Sequence, residues 1–157
     1  MSAYAEIDIA APRPEVWGIL ADVASWPTWN PAIRHAVRDE ELEVGARFRF
    51  STEIGTLKCR FTAIESPRSL SWKGRVLALG ERQAWILEST DSGTHVTVLA
   101  EMTGPVSRLM RRRLTERLQA VILSVLQLLR LEAEVRSAET AEEVARAAES
   151  LGKGTSP

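Results

Sequence analysis

The chain has 157 residues, 45% of them hydrophobic, and a formal net charge of −1. That length and apolar fraction suit one compact domain with its own core, and the balanced charge gives no whole-molecule field to draw in nucleic acid or an acidic substrate. A single cysteine, Cys59, excludes an internal disulfide, and with His35 and His95 the only histidines no metal-ligand spacing occurs.

The start of the chain has no basic segment followed by an apolar run, so no signal peptide is expected. The most apolar run, Ala120 to Leu131, is interrupted by Ser, Gln and Arg and is too short to span a bilayer. Together these features predict a soluble cytoplasmic protein.

Residues 3 to 10 alternate, with Ala5, Ile7 and Ile9 set against Glu6 and Asp8, which is the pattern of a half-buried strand closed by Pro12. Pro14 suits a helix first turn. Val16, Leu20 and Val23 then recur at helical spacing, so a short helix runs to about Val23. The stretch "SWPTWNP", residues 25 to 31, follows. A proline pushes the residue before it away from helical geometry, so Trp26 and Asn30 cannot both sit in one regular helix. This is a bent connection carrying two large rings, which either fill a gap beneath a loop or wall a pocket.

From Ala36 the period is two, broken by turn residues at 43–45, 53–56, 65–69, Gly80 and 90–93. Six further short strands joined by tight turns make an antiparallel meander. Parity turns Phe48, Phe50, Leu57, Cys59, Phe61, Leu70, Trp72, Trp85, Leu87, Val96 and Val98 inward, and Arg47, Arg49, Lys58, Arg60, Lys73 and Arg75 outward. Gln83 shares the face of Trp85. Glu81 has the same parity and, if buried, could serve as a general acid or base with a raised pKa, but beside Gly80 it is expected at a strand end in solvent. His95 faces water, His35 is a surface residue, and Cys59 reads as a small core residue.

After Thr103 to Pro105 the period becomes helical for more than thirty residues. Leu114, Leu118, Val121, Val125 and Leu128 form a stripe that Ile122, Leu126 and Leu129 widen, so the helix is expected to be largely covered over its middle turns. Leu118, Val121, Ile122 and Val125 should face the sheet. Arg111 to Arg113 read as the solvated face of the helix start. From Ala138 the chain is rich in Ala and Glu; Thr140 with Glu143 has the spacing of a capping box that would restart a weak helix, and the end from Gly152 should be disordered. The predicted organisation is a single domain over residues 1–137 with an extension over 138–157. Its class is α+β: a curved antiparallel seven-stranded sheet wrapped around a long C-terminal helix, with short helices between strands 1 and 2.

The segments "IDIAAPRPEVWGILADVASWPTWNP" (7–31), "VGARFRF" (44–50) and "SPRSLSWKG" (66–74) resemble the polyketide cyclase/dehydrase-like family of the START-like, helix-grip superfamily. The resemblance covers about residues 3 to 135. It implies an apolar cavity between sheet and long helix, closed on one side by Trp26 and Trp29. The inward residues Phe48, Phe50, Phe61, Trp72, Gln83 and Trp85 and the helix residues Leu118, Val121, Ile122 and Val125 would line it. The turns at Ile54 and Gly104 would frame its entrance with the tryptophan stretch.

Members of the family bind lipids, sterols, quinones or polyketides, and a minority cyclise or dehydrate their ligand. Catalysis would need polar groups inside, and this chain supplies few. No nucleophile with an adjacent base, phosphate-binding loop or metal set is visible, so no catalytic residue, metal or cofactor is assigned. The expected function is binding of a hydrophobic small molecule (lipid, quinone, polyketide or aromatic compound), with Gln83 as a polar anchor. The alternatives are a cofactor-free cyclase or dehydratase using the same cavity, and an interaction module presenting its sheet or helix. Nucleic acid and a membrane span are not expected as partners; a homodimer through the broad apolar C-terminal helix is the candidate association.

Overall fold

The computed structural model describes residues 1–154. Strand β1 (Ser2–Ile9) is followed by helix α1 (Arg13–Ala21), a 3-10 turn (Val23–Ser25) and the one-turn helix α2 (Trp26–Trp29). Six more strands come next: β2 (His35–Arg38), β3 (Arg47–Thr52), β4 (Gly55–Glu65), β5 (Ser69–Val76), β6 (Leu79–Thr90) and β7 (Gly93–Thr103). Helix α3 (Arg108–Lys153) ends the described chain. The seven strands form one antiparallel sheet in the order β1-β7-β6-β5-β4-β3-β2. The first strand therefore closes against the last, and chain order is kept everywhere else.

The expected parity holds in every strand: Phe48, Phe50, Leu57, Cys59, Phe61, Leu70, Trp72, Trp85, Leu87, Val96 and Val98 are all buried. Gly93 makes the tight turn between β6 and β7 possible. It has φ of 152°, and a Cβ there would lie 2.0 Å from the carbonyl oxygen of Ile9, so only glycine lets this turn close against the end of β1. On the outer face His95 of β7 is hydrogen-bonded to Asp8 (2.7 Å) and Glu6 (3.2 Å) of β1. The bond to Asp8 above all, together with that to Glu6, holds its pKa above the ordinary histidine value.

Four local expectations are corrected. The tryptophan stretch is a helical turn and not merely a bend. Trp26 has helical φ and ψ because Pro27 sits in the first turn of α2, where its missing N–H costs nothing, and the chain turns extended only at Asn30. The β5–β6 turn is made at Leu77 and Ala78, Leu77 with a φ of 54°, so Gly80 lies within β6 opposite Thr103. Thr140 does not restart a helix: α3 runs through it unbroken, its hydroxyl donating to the carbonyl of Arg136 at 3.0 Å, as suits a segment of strong helix formers. The helix ends at Lys153, and the expectation of disorder for residues 155–157 lies outside the described residues.

The fourth correction concerns coverage of α3. The helix begins at Ser107, whose hydroxyl oxygen accepts from the Met110 N–H, and rests mainly on β1, with α1, α2 and β7 also touching it. Its buried positions are Leu118, Ile122, Leu126, Leu129 and Ala133, one narrow stripe. The Gln119 carboxamide and the Glu134 carboxylate clamp it to the backbone of Tyr4 and Ala10. The opposite side is open to solvent at Leu123, Leu131 and Val135, and every residue from Ala138 to Gly154 is exposed. Among the described residues no helix is long and apolar enough to cross a membrane.

Candidate functional site

The inner face of the sheet carries a continuous wall of aromatic rings. Alternation along β3 turns Phe48 and Phe50 inward, β4 adds Phe61, and β5 and β6 add Trp72 and Trp85. Phe48 stacks on Phe61 with centroids 4.4 Å apart, and Trp72 stacks on Trp85 at 6.2 Å. Helix α2 brings Trp26 down onto this wall at 5.8 Å from Phe48, 5.5 Å from Phe50 and 5.6 Å from Trp72. Its indole N–H donates to the carbonyl of Leu20 at 3.0 Å, which ties the ring to the end of α1. Such contacts near ring edges are favourable for aromatic quadrupoles and add to the burial.

A polar chain runs along the inner side of β6. The Trp85 N–H donates to Gln83 Oε1 at 3.0 Å, and Gln83 Nε2 donates to Glu81 Oε1. Register sets Trp72 opposite Gln83 and Gly74 opposite Glu81, so the chain lies beside the Trp72 ring. Gly74 must stay bare, because a Cβ there would lie 2.5 Å from the Cys59 sulfur. Glu81 is only 6% exposed, and burial pushes its carboxyl pKa up, with the Gln83 hydrogen bond opposing the shift. Cys59 is buried too and its thiol pKa is raised by desolvation, which leaves it inert as a nucleophile.

Glu81 Oε2 and Trp72 Nε1 in this region are buried with no hydrogen-bond partner, as are Trp29 Nε1 on α2 and Arg13 Nε and Glu15 Oε2 on α1. Buried polar groups are nearly always paired, so each such orphan calls for an explanation.

The structure gathers Trp26, Phe48, Phe50, Phe61, Trp72, Gln83 and Trp85 into this one region, and Trp29 is buried on the same α2 turn. From α3, Leu118 and Ile122 are buried and Val125 is half-buried. Val121 is 48% exposed and does not face the sheet. At ~100° per residue it sits about 100° round the helix from the centre of the buried stripe. Glu81 is the residue that the sequence undervalued. Moving the turn to Leu77 and Ala78 places it inside β6 opposite Met102, where its side chain points to the interior with Gln83 and Trp85. His35 is exposed, and no bond joins it to these groups.

Known proteins agree with this architecture. ZhuI, an aromatase/cyclase from Streptomyces sp. R1128, is 18% identical with a TM-score of 0.72, over 87% of this chain and 94% of its own. A START superfamily protein from Mycobacterium smegmatis is 17% identical with a TM-score of 0.65, over 88% and 98%. The di-domain ARO/CYC StfQ from the steffimycin pathway is 17% identical with a TM-score of 0.74, over 87% of this chain and 51% of its own. At these identities the likeness establishes the helix-grip, START-like fold. No functionally curated protein shows significant sequence similarity. The sequence profile described as "Polyketide cyclase / dehydrase and lipid transport" matches residues 1–136, and the chain belongs to that family.

Proposed function

We propose that the chain binds a mostly apolar, ring-containing small molecule of the lipid, quinone or polyketide kind against the inner face of β5 and β6, beneath α2. The observation that carries this reading is the pair of orphaned polar atoms, Trp72 Nε1 and Glu81 Oε2, on adjacent strands of an aromatic wall. Burial against the rings supplies affinity and the orphans supply orientation, which is how small-molecule sites divide the work. Because the Trp26 ring already rests on Phe50 and Trp72, entry requires the α2 turn to move aside. Titration with fatty acids, quinones and flat aromatics is expected to quench or shift tryptophan emission and to raise the melting temperature. A panel that leaves both unchanged refutes the reading.

A cyclase or dehydratase activity is the second reading, and Glu81 favours it. A buried carboxyl with a raised pKa and a free oxygen keeps its proton to higher pH than an ordinary glutamate and can pass it to a bound carbonyl. If the chain is such an enzyme, Glu81→Gln keeps ligand affinity and loses turnover of a linear polyketone. If it is a binding protein, no polyketone is converted by either form.

A further inference from the structure

The outward face of β3 to β6 carries a concentration of charge that the interior does not require. Register places Arg47, Arg60, Lys73 and Arg82 directly opposite one another in one cross-strand row, and Arg49, Lys58 and Arg75 in the next. All seven are exposed. Every adjacent pair within a row is therefore a pair of like charges, which destabilises a sheet. Of these seven, only Arg47 has an ion-pair partner among the described residues, Glu40 at 3.0 Å, which the charge of Arg60 also reaches. The chain as a whole has a net charge of −1, so this field is local.

All seven cations line one open concavity of about 960 Å³. The carboxylates that border it are Asp39 beyond β2, Glu101 opposite Arg82 on β7, and Glu81 on the inner side of β6. We propose that this face is a binding site for a small polyanion, a ligand carrying several phosphate groups. Four strands at ~4.8 Å spacing span about 14 Å, and rows two residues apart lie about 7 Å from each other. That footprint suits one compact ligand. No aromatic side chain projects from the two rows, so the site holds phosphate charge and offers no platform for stacked bases. The arginine forks supply paired donors to phosphate oxygens, and Lys73 supplies a point charge at the centre of its row. The cations project from the side of the strands opposite the aromatic wall, and Phe48 and Glu81 of the inner side also border the concavity.

The opposed like charges give the test a control. Neutralising the centre of the field removes repulsion in the free protein and removes attraction for the ligand. Calorimetric titration with sodium tripolyphosphate at low salt is expected to show one site per chain, with affinity falling steeply as salt is raised. Lys73→Gln and Arg60→Gln are each expected to weaken binding several-fold, and the double variant at least tenfold, while the melting temperature without ligand stays level or rises. Absence of tripolyphosphate binding at low salt, or unchanged affinity in the double variant, overturns the proposal. Binding of a single-stranded oligonucleotide without tripolyphosphate binding overturns it in favour of a nucleic-acid surface.

Discussion

Replacing Trp26 with alanine is expected to lower the free energy of unfolding by about 3–5 kcal/mol, the range for deleting a large buried aromatic side chain. The ring is 4% exposed, touches Phe48, Phe50 and Trp72, and bonds the carbonyl of Leu20. Its loss removes the burial, leaves a void over the aromatic wall and strands a carbonyl in the interior. Trp26→Phe, which keeps most of the ring and loses the N–H, should cost less, on the order of 1–2 kcal/mol. The check is the urea midpoint at constant slope. Because the void lies between rings, a small flat aromatic such as indole should recover part of the loss in Trp26→Ala and stabilise that variant more than it stabilises the wild type at equal concentration. A cost under about 1 kcal/mol would mean that α2 is not seated as described.

Glu81 governs the second large effect. Burial raises its pKa above the ordinary glutamate value near ~4.3. Between that value and the raised one the native state holds a proton that the unfolded chain has released. Stability is therefore full below the unfolded-state value and falls as pH rises through the window, because the carboxylate must ionise in the interior or the protein must open. Glu81→Gln keeps an oxygen to accept from Gln83 and cannot ionise. Its stability is expected to match the wild type in acid and to exceed it by a widening margin as pH rises through the window. His95 contributes a slope of the same sign, since its raised pKa also means stability lost as pH increases. It is present in both proteins, so the difference between them reports Glu81. A wild type and variant with parallel pH profiles would place Glu81 in water.

Much of this architecture was legible because strand parity is a strong signal. Once Phe48 and Phe50 alternate with Arg47 and Arg49, the inner face of every later strand follows from the same rule. The departures have separate physical causes. Glu81 is obscured because Gly80 marks a turn by composition, whereas the chain turns earlier, at a left-handed Leu77 and at Ala78. Val121 reads as a core residue because the apolar stripe of α3 is broader than the surface it packs against. Only the contact with β1 and α1 selects Leu118, Ile122, Leu126 and Leu129 from within it. Trp26 entered a helical turn because proline is tolerated at the first positions of a helix, which outweighs its restriction on the preceding residue. For the outer face, parity showed that the basic residues point outward, but their alignment into rows is a property of register that no single strand reveals.

In the proposed binding mode a ligand oxygen sits beside Trp72 Nε1 and Glu81 Oε2 and pairs the two orphaned groups. α-Tetralone and tetralin have nearly the same size and apolar surface and differ by one carbonyl, so calorimetric titration of the pair isolates that oxygen. The wild type is expected to bind α-tetralone at least tenfold more tightly, and Trp72→Phe, which keeps a ring and loses the donor, to reduce that preference several-fold while leaving tetralin affinity nearly unchanged. Equal affinity for both compounds in the wild type, or a preference that survives in Trp72→Phe, would contradict it.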